Sequence, residues 1–396
     1  MNFLLLSLIK IAVVFAALMT TLAYLQWVER KVIAHIQIRV GPYRVGPHGL
    51  LQPLADIVKL LTKEDLMPPQ VNRFLFLFAP FIAVTTALIS IVVIPFGGEV
   101  RIAGQTTWLQ LADLNIGVLF VLAVSSLGVY GIALGGWASN NKYALLGGLR
   151  SAAQMISYEL PMSMAIAAPL LLLNTLSLRE LVLRQSGYQL GFIPNWSVFQ
   201  GPWPQLVSFV IFLIAGFAET NRIPFDLPEA ENELVAGFHI EYSSMKFACF
   251  FMAEYANMLT VACVTTTLFL GGWTPLWPAR FGSDYVPVAV FLTAGAAALC
   301  HGLQPARRRD RITLPIAGAL FLVIAALFLW PPAGQVVMPL FWFGAKTGLL
   351  IFTFVWVRGT LPRFRYDQLM GFAWKFLFPV AVANLLVTGL LVALRS

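Results

Sequence analysis

Three features of the sequence predict an all-α fold, a polytopic transmembrane helical bundle of about ten spans. Of 396 residues, 59% are hydrophobic and only 11% are charged, roughly half the charged share of an ordinary soluble domain. The apolar residues fall in long blocks separated by short clusters of Pro, Gly and charge, as helices crossing ~30 Å of hydrocarbon require. Lipid offers the backbone no partner, so each block must close its hydrogen bonds within a helix. The third feature is charge placement: 19 of the 26 Lys and Arg lie in or beside alternate loops, which the positive-inside rule puts in the cytoplasm, with both termini outside.

The spans are expected near residues 3–28, 74–95, 116–138, 153–173, 204–221, 246–270, 285–303, 312–330, 338–357 and 372–394. The first apolar run lacks a basic segment before it and reaches Val28 before Glu29-Arg30-Lys31 stops it, so it reads as a retained span, not a cleaved signal. In the first inside loop Leu50, Leu51, Leu54, Ile57, Val58, Leu60 and Leu61 recur at helical spacing opposite Gln52, Asp56, Lys59 and Lys63. This is an amphipathic helix lying at the interface. A second short helix is expected outside, from Leu176 to Leu183.

Composition also excludes several classes of function. The net charge of +8 comes from basic residues flanking apolar spans, not from a basic soluble face, so nucleic acid is not a partner. Cys249, Cys263 and Cys300 sit inside apolar segments without ligand-like spacing, which excludes a disulfide framework, a zinc site and an iron–sulfur site. There is no Gly-rich nucleotide loop, GxSxG or HExxH, and His35, His48, His239 and His301 show no paired or haem-like spacing. No internal repeat is visible, which argues against a repeat-built transporter.

The chemistry-bearing residues are carboxylates in unexpected places. The inside loop from Ile223 to Met245 holds Asp226, Glu229, Glu231, Glu233 and Glu241 and no Lys or Arg, although every other inside loop is basic. Clustered carboxylates raise one another's pKa and so carry protons near neutral pH. A solvated acidic loop is the alternative; against it, Ile223-Pro224-Phe225 and Leu227-Pro228 are apolar insertions suited to a segment folded into the protein. Glu159, Glu219 and Glu254 lie within apolar spans, where a lone carboxylate must be neutralised, paired or hydrated. Together they suggest a polar path from the acidic loop into the bilayer. The competing readings are snorkelling for Glu219 and helix-packing hydrogen bonds for Glu159 and Glu254. Lys10 reads as a snorkelling residue, and Lys346 is a weaker candidate.

Three stretches resemble a known family. Residues 29–65, ERKVIAHIQIRVGPYRVGPHGLLQPLADIVKLLTKED, and 217–255, FAETNRIPFDLPEAENELVAGFHIEYSSMKFACFFMAEY, resemble the two signature regions of the NADH-quinone oxidoreductase H subunit. That protein is the bacterial counterpart of mitochondrial NADH dehydrogenase subunit 1 in respiratory complex I. The stretch WVRGTLPRFRYDQLMGFAWKFLFP at 356–379 matches the family's last inside loop and final span. The resemblance covers residues 1–274 and 338–396; 275–337 reads as an inserted transmembrane hairpin added to a core of eight spans.

The resemblance implies a proton-pumping translocase component in the bacterial inner membrane that binds no cofactor of its own. Quinone is the substrate, and FMN and iron–sulfur clusters belong to partner subunits. The partners implied are the peripheral-arm iron–sulfur and quinone-site subunits, other membrane-arm subunits and the lipid bilayer. Carried over by motif, Glu219, Asp226, Glu229, Glu231 and Glu233 lie near the quinone chamber, and Glu159 and Glu254 begin the proton path. Arg39, Gln52, Asp56, Lys59 and Phe225 border the chamber or its entrance. The corresponding component of a membrane-bound hydrogenase or formate hydrogenlyase is the near rival, and a stand-alone proton-coupled transporter the rival from another class. The complete first signature loop argues against the former, and the absence of repeats with large inside loops against the latter.

Overall fold

The computed structural model describes residues 3–102, 104–200, 203–227, 235, 237–303 and 310–394. The helices are α1 (Phe3–Ile36), α2 (Gln52–Thr62), α3 (Arg73–Ile89), α4 (Gly117–Ala138), α5 (Lys142–Leu173), α6 (Leu178–Arg184), α7 (Leu206–Glu219) and α8 (Ser244–Phe269). They continue with α9 (Val286–Leu303), α10 (Asp310–Leu329), α11 (Pro331–Thr360) and α12 (Tyr366–Ala393), the last containing a π-helical turn at Ala373–Leu377. Among the described residues nine helices are long and apolar enough to cross a membrane, and α7 is a shorter apolar helix of 14 residues. Every expected span therefore corresponds to a helix, and the chain is a multi-pass membrane protein.

Successive spans run in opposite directions between two faces. One carries the first loop, residues 37–72; the other carries two β-hairpins, Glu99–Ile102 with Gln105–Trp108 and Tyr188–Gln189 with Ile193–Pro194. Neither hairpin was expected, because two-stranded ribbons this short leave little periodicity to read. The amphipathic helix of the first loop is α2, and the second short helix is α6, shifted one to two residues along the chain from its expected place. On α2, Leu54, Val58 and Leu61 remain exposed, as befits a helix at an interface.

Several boundaries differ from the sequence reading. α1 does not stop at Val28 but continues to Ile36, ending where Ile38 takes a left-handed φ of 54°. The Arg39 amide then donates to the Ala34 carbonyl at 2.9 Å, closing an orphan carbonyl of the last turn. α5 begins at Lys142, ahead of the expected boundary at 153, because the Asn141 side chain caps it by accepting from the Tyr143 amide at 2.9 Å. In the first loop Gly49, at φ +80°, lies so close to the Pro42 carbonyl that no side chain fits there.

The core is the bundle of α3, α4, α5, α7 and α8, in which Phe76, Tyr158, Phe212 and Phe269 are fully buried. Lipid gives helices no hydrophobic reason to associate, so close packing and polar contacts must hold them. Gly128, Gly131 and Gly135 of α4 face Ala79, Ala83 and Thr86 of α3, letting the backbones approach. The start of α7 is tied to α12 by hydrogen bonds from Gln205 to Thr388 (3.0 Å) and from Asn384 to Ser208 (2.8 Å). At the far end of α8, Lys346 of α11 donates to the carbonyls of Leu270 (2.6 Å), Gly272 (2.9 Å) and Thr274 (2.7 Å), capping the helix terminus with a cation. Lys10 reaches the β-hairpin face, donating to the Trp108 carbonyl at 2.9 Å and to the Thr107 hydroxyl.

The α9–α10 pair packs on α11 through Phe291, Phe328 and Phe341, with ring centroids 5.6–6.1 Å apart. Its end at the first-loop face is held by His48 Nε2, 3.0 Å from Asp310 Oδ1. Arg307, Arg308 and Arg309, expected in this turn, lie outside the described residues.

A Cβ at Gly131 would lie 2.9 Å from the Ala83 amide nitrogen and 3.1 Å from the Ala79 carbonyl, whereas one at Gly344 of α11 meets nothing within 4 Å. Gly131→Val should therefore force α3 and α4 apart at a cost of about 1–3 kcal/mol or more. Thermal unfolding of the detergent-solubilised protein should show a lowered midpoint for Gly131→Val and little change for Gly344→Val.

Candidate functional site

Continuing α1 beyond Val28 carries Glu29 into the bundle, where it is 3% exposed. A carboxylate so buried requires cations, and the turn after α7 and the end of α11 supply them. Arg222 Nη1 donates to Glu29 Oε1 at 3.0 Å, and Arg358 Nη1 donates to the same oxygen. Arg222, itself 4% exposed, also holds Glu254 of α8, with Nε 2.7 Å from Oε1, and its guanidinium stacks 4.2 Å from the Tyr255 ring. One guanidinium is thus shared by two carboxylates from different helices, with a second arginine completing the balance.

The turn that places Arg222 is held from α5. α7 ends at Glu219 because Asn221 takes a left-handed φ of 50°. Gln154, fully buried, donates its amide to the carbonyls of Ala218 (2.8 Å) and Phe225 (2.7 Å), across the turn. Phe225 packs between Tyr158 and Phe364, with centroids 5.6 Å away in each case. Asp226 is 7% exposed and pairs with Arg363 of the α11–α12 loop at 2.8 Å. Pro224, Phe225 and Leu227 of the apolar insertions are therefore folded into the protein, as the sequence suggested; Pro228 lies outside the described residues.

The intramembrane carboxylates converge. A cavity of about 40 Å³ is lined by Glu219, Glu254, Asn221, Asn257 and His239 among others, enough for a few waters. Glu219 lies beside Ser125, whose hydroxyl donates to the Leu122 carbonyl at 3.0 Å, and near Glu159. Glu159 accepts from Ser126. Adjacent hydroxyls of α4 therefore lie beside two carboxylates, one from α7 and one from α5.

The α2 residues form a separate surface. Asp56 accepts from Arg30 at 2.8 Å and from Gln52 at 3.1 Å, and Lys59 lies 3.6 Å from it, so α2 is tied to the end of α1. Arg39 is exposed and donates to Gln37 at 2.7 Å. Glu229, Glu231 and Glu233 lie outside the described residues.

Sequence reasoning grouped the acids but missed their partners: Glu29, Arg222, Arg358, Arg363, Gln154, Ser125 and Ser126. A signal existed for the arginines, since buried acids imply nearby cations and Arg222, Arg358 and Arg363 all border spans. None existed for the serines, whose hydroxyls in helices routinely bond their own backbone, as Ser126 also does to Leu122.

Fold and site together define a multi-pass α-helical membrane protein whose interior holds carboxylates on several spans, some paired with buried arginines and some lining a cavity between the helices. A model of the family described as NADH dehydrogenase matches residues 9–389. The NADH-quinone oxidoreductase H subunit numbered 1 in Solibacter usitatus is 69% identical, over 99% of this chain and 98% of the relative. The H subunit numbered 2 in Koribacter versatilis is 49% identical, over 99% of this chain and 98% of its own. That numbered 2 in Geobacter metallireducens is 45% identical, over 98% and 95%. The chain belongs to the family of NADH-quinone oxidoreductase H subunits. The near end-to-end match with the Solibacter relative includes residues 275–337, so that relative shares the hairpin segment.

Two outcomes follow from this geometry. Arg222→Gln leaves Glu29 and Glu254 with one arginine fewer between them, a loss of about 3–5 kcal/mol; the detergent-solubilised complex should melt lower, and adding Glu29→Gln should restore most of the difference. Burial between Phe238 and Phe247 pushes the His239 imidazole down to about 4 from 6.5. The fold holds its neutral form, so this contribution is complete above pH 6.5 and is lost as pH falls through 4. His239→Gln should flatten the acid side of the stability profile between those values.

Proposed function

We propose that this chain is the membrane component of a complex I-type, proton-pumping NADH:quinone oxidoreductase that forms part of the quinone chamber and begins the proton path. The observation that supports this best is the convergence of Glu219 and Glu254 on one polar cavity, with Glu159 beside Glu219 and the Arg222 network at its edge. In this reading Arg39, Gln52, Asp56, Lys59 and Phe225 border the chamber or its entrance, and Asp226, Glu229, Glu231 and Glu233 form the acidic loop that senses it. The first-loop face is cytoplasmic and both termini are outside. Residues 1–274 and 338–396 are the core, and 275–337 is a hairpin added to it. The chain binds no cofactor; FMN and iron–sulfur clusters reside in peripheral-arm partners, which dock with the other membrane-arm subunits around it.

The chemistry follows from charge balance. Reducing quinone to quinol consumes two electrons and two protons, so negative charge arrives beside the acidic loop and protons are drawn toward it. Asp226, held by Arg363, is the described loop acid best placed to register that charge. Within the bundle, Glu29 and Glu254 share Arg222, with Arg358 completing two anions and two cations. Protonating Glu254 leaves these four groups with one positive charge, which favours ionisation of Glu219 across the cavity. Releasing that proton reverses the preference, so the two carboxylates titrate alternately. A low-dielectric surround makes the coupling strong, because screening by water and salt is weak there.

Glu219→Gln and Glu231→Gln, made separately in the assembled complex, should each lower quinone reduction and proton pumping several-fold while leaving assembly intact, because each removes a titratable group with little change of shape. Inverted membrane vesicles assayed for NADH oxidation and acidification give both readouts. Wild-type turnover and pumping in both variants would overturn the proton-carrier reading.

A further inference from the structure

Glu219 borders a second cavity, of about 30 Å³, on the side of the bundle nearer the β-hairpin face. Its polar wall consists of Ser90, Ser125, Thr260 and Asn257 in addition to Glu219. Among the described residues, Glu219 and Asn257 alone line both this cavity and the one beside Glu254. Toward the β-hairpin face the chamber wall is apolar, formed by Val118, Ile166 and Leu178, each no more than 2% exposed.

One group in the wall requires a partner. The Thr260 hydroxyl is buried, the residue being 5% exposed, and among the described residues it makes no hydrogen bond. Most helix hydroxyls spend their proton on the preceding turn, as Thr265 and Thr266 of the same helix do. A buried hydroxyl left without a partner costs about 1–3 kcal/mol. Water satisfies it where a cavity exceeds ~10–15 Å³ and offers two or more polar partners, and Ser125, Asn257 and Glu219 supply those.

We propose that the Thr260 chamber is a hydrated proton-holding site, and that Asn257 is the positioning residue between it and the Glu254 cavity. The inference rests on Glu219 being a proton carrier. An ionised Glu219 takes a proton relayed by water from protonated Glu254, which is left ionised, giving the neutral acid. The acid then turns so that its O–H donates to water held by Thr260 and Asn257. The amide of Asn257 is suited to this place because it both donates and accepts, and so holds water in either direction without carrying charge. Turned away, the proton cannot fall back to the first-loop side until the charge at Arg222 and Glu254 changes. The apolar wall at Val118, Ile166 and Leu178 keeps it from leaking across the membrane.

The test compares protons moved per quinone reduced in membrane vesicles carrying the assembled complex. Thr260→Val, which keeps the shape and removes the hydroxyl, and Asn257→Leu should each lower that ratio at least twofold, and Thr260→Ser should restore it. Wild-type ratios in both Thr260→Val and Asn257→Leu would overturn the proposal. If Glu219→Gln impaired pumping in the same preparations, the proton-carrier reading would stand and only the second chamber would fall; a silent Glu219→Gln would remove both. Radiolytic hydroxyl labelling of the unmodified complex gives a measurement that depends on no variant. Met162, which is 3% exposed and lines the chamber, should be oxidised by radicals formed from bound water, while Met258, 1% exposed and on neither wall, should not. An unlabelled Met162 would exclude a hydrated chamber.

Discussion

The sharing of Arg222 between Glu29 and Glu254 is the constraint on which the remaining geometry depends. A guanidinium in a dry interior is costly unless its charge and its donors are met, and a lone carboxylate there is no better. Because Glu29 comes from α1, Arg222 from the turn after α7, Glu254 from α8 and Arg358 from α11, meeting those charges joins four separate segments. α1 must continue past Val28 to deliver Glu29. α7 must end near Glu219 so that Arg222 can turn inward, and Gln154 holds that ending by donating to the freed Ala218 carbonyl and to the Phe225 carbonyl across the turn.

This arrangement also explains how a membrane protein keeps ionisable groups where lipid would expel them. The acids are not scattered through the spans but gathered on the facing sides of α1, α5, α7 and α8, with hydroxyls, amides and arginines around them and apolar side chains turned outward. Ser126 donates to Glu159, and the neighbouring Ser125 lines a cavity together with Glu219. The surrounding small residues let α3 and α4 pack closely without filling the polar interior. The contacts that stabilise the bundle are therefore the ones on which the proposed proton path would draw. A network with several carboxylates and few arginines has more than one way to place its protons at similar cost, which is the property a charge-driven relay requires.

The amphipathic helix α2 is joined to this interior through short links. Arg30, adjacent to Glu29, pairs with Asp56 on α2, and Lys246 near the start of α8 pairs with Asp65 just beyond it. These pairs join α2 and the residues after it to the two helices that present Glu29 and Glu254. The α9–α10 pair adds a further link to the same loop through His48 and Asp310.

The spans, their alternation, the interfacial helix and the identity of the intramembrane acids were determined by the sequence alone. Each depends on a local property: the length of apolar runs against bilayer thickness, helical periodicity, and the cost of a charge in hydrocarbon. What lay beyond it were the pairings, because they join residues far apart in the chain. Arg222 and Glu29 are separated by 193 positions and Arg358 and Glu29 by 329. Nothing near Glu29 in sequence indicates that arginines wait for it inside the bundle, so the charge read as the end of a span when it is the centre of the site. The two cavities that meet at Glu219 and Asn257 were decided by packing alone. Their walls come from α3, α4, α5, α7 and α8 together, and a space between helices is written in no one of them.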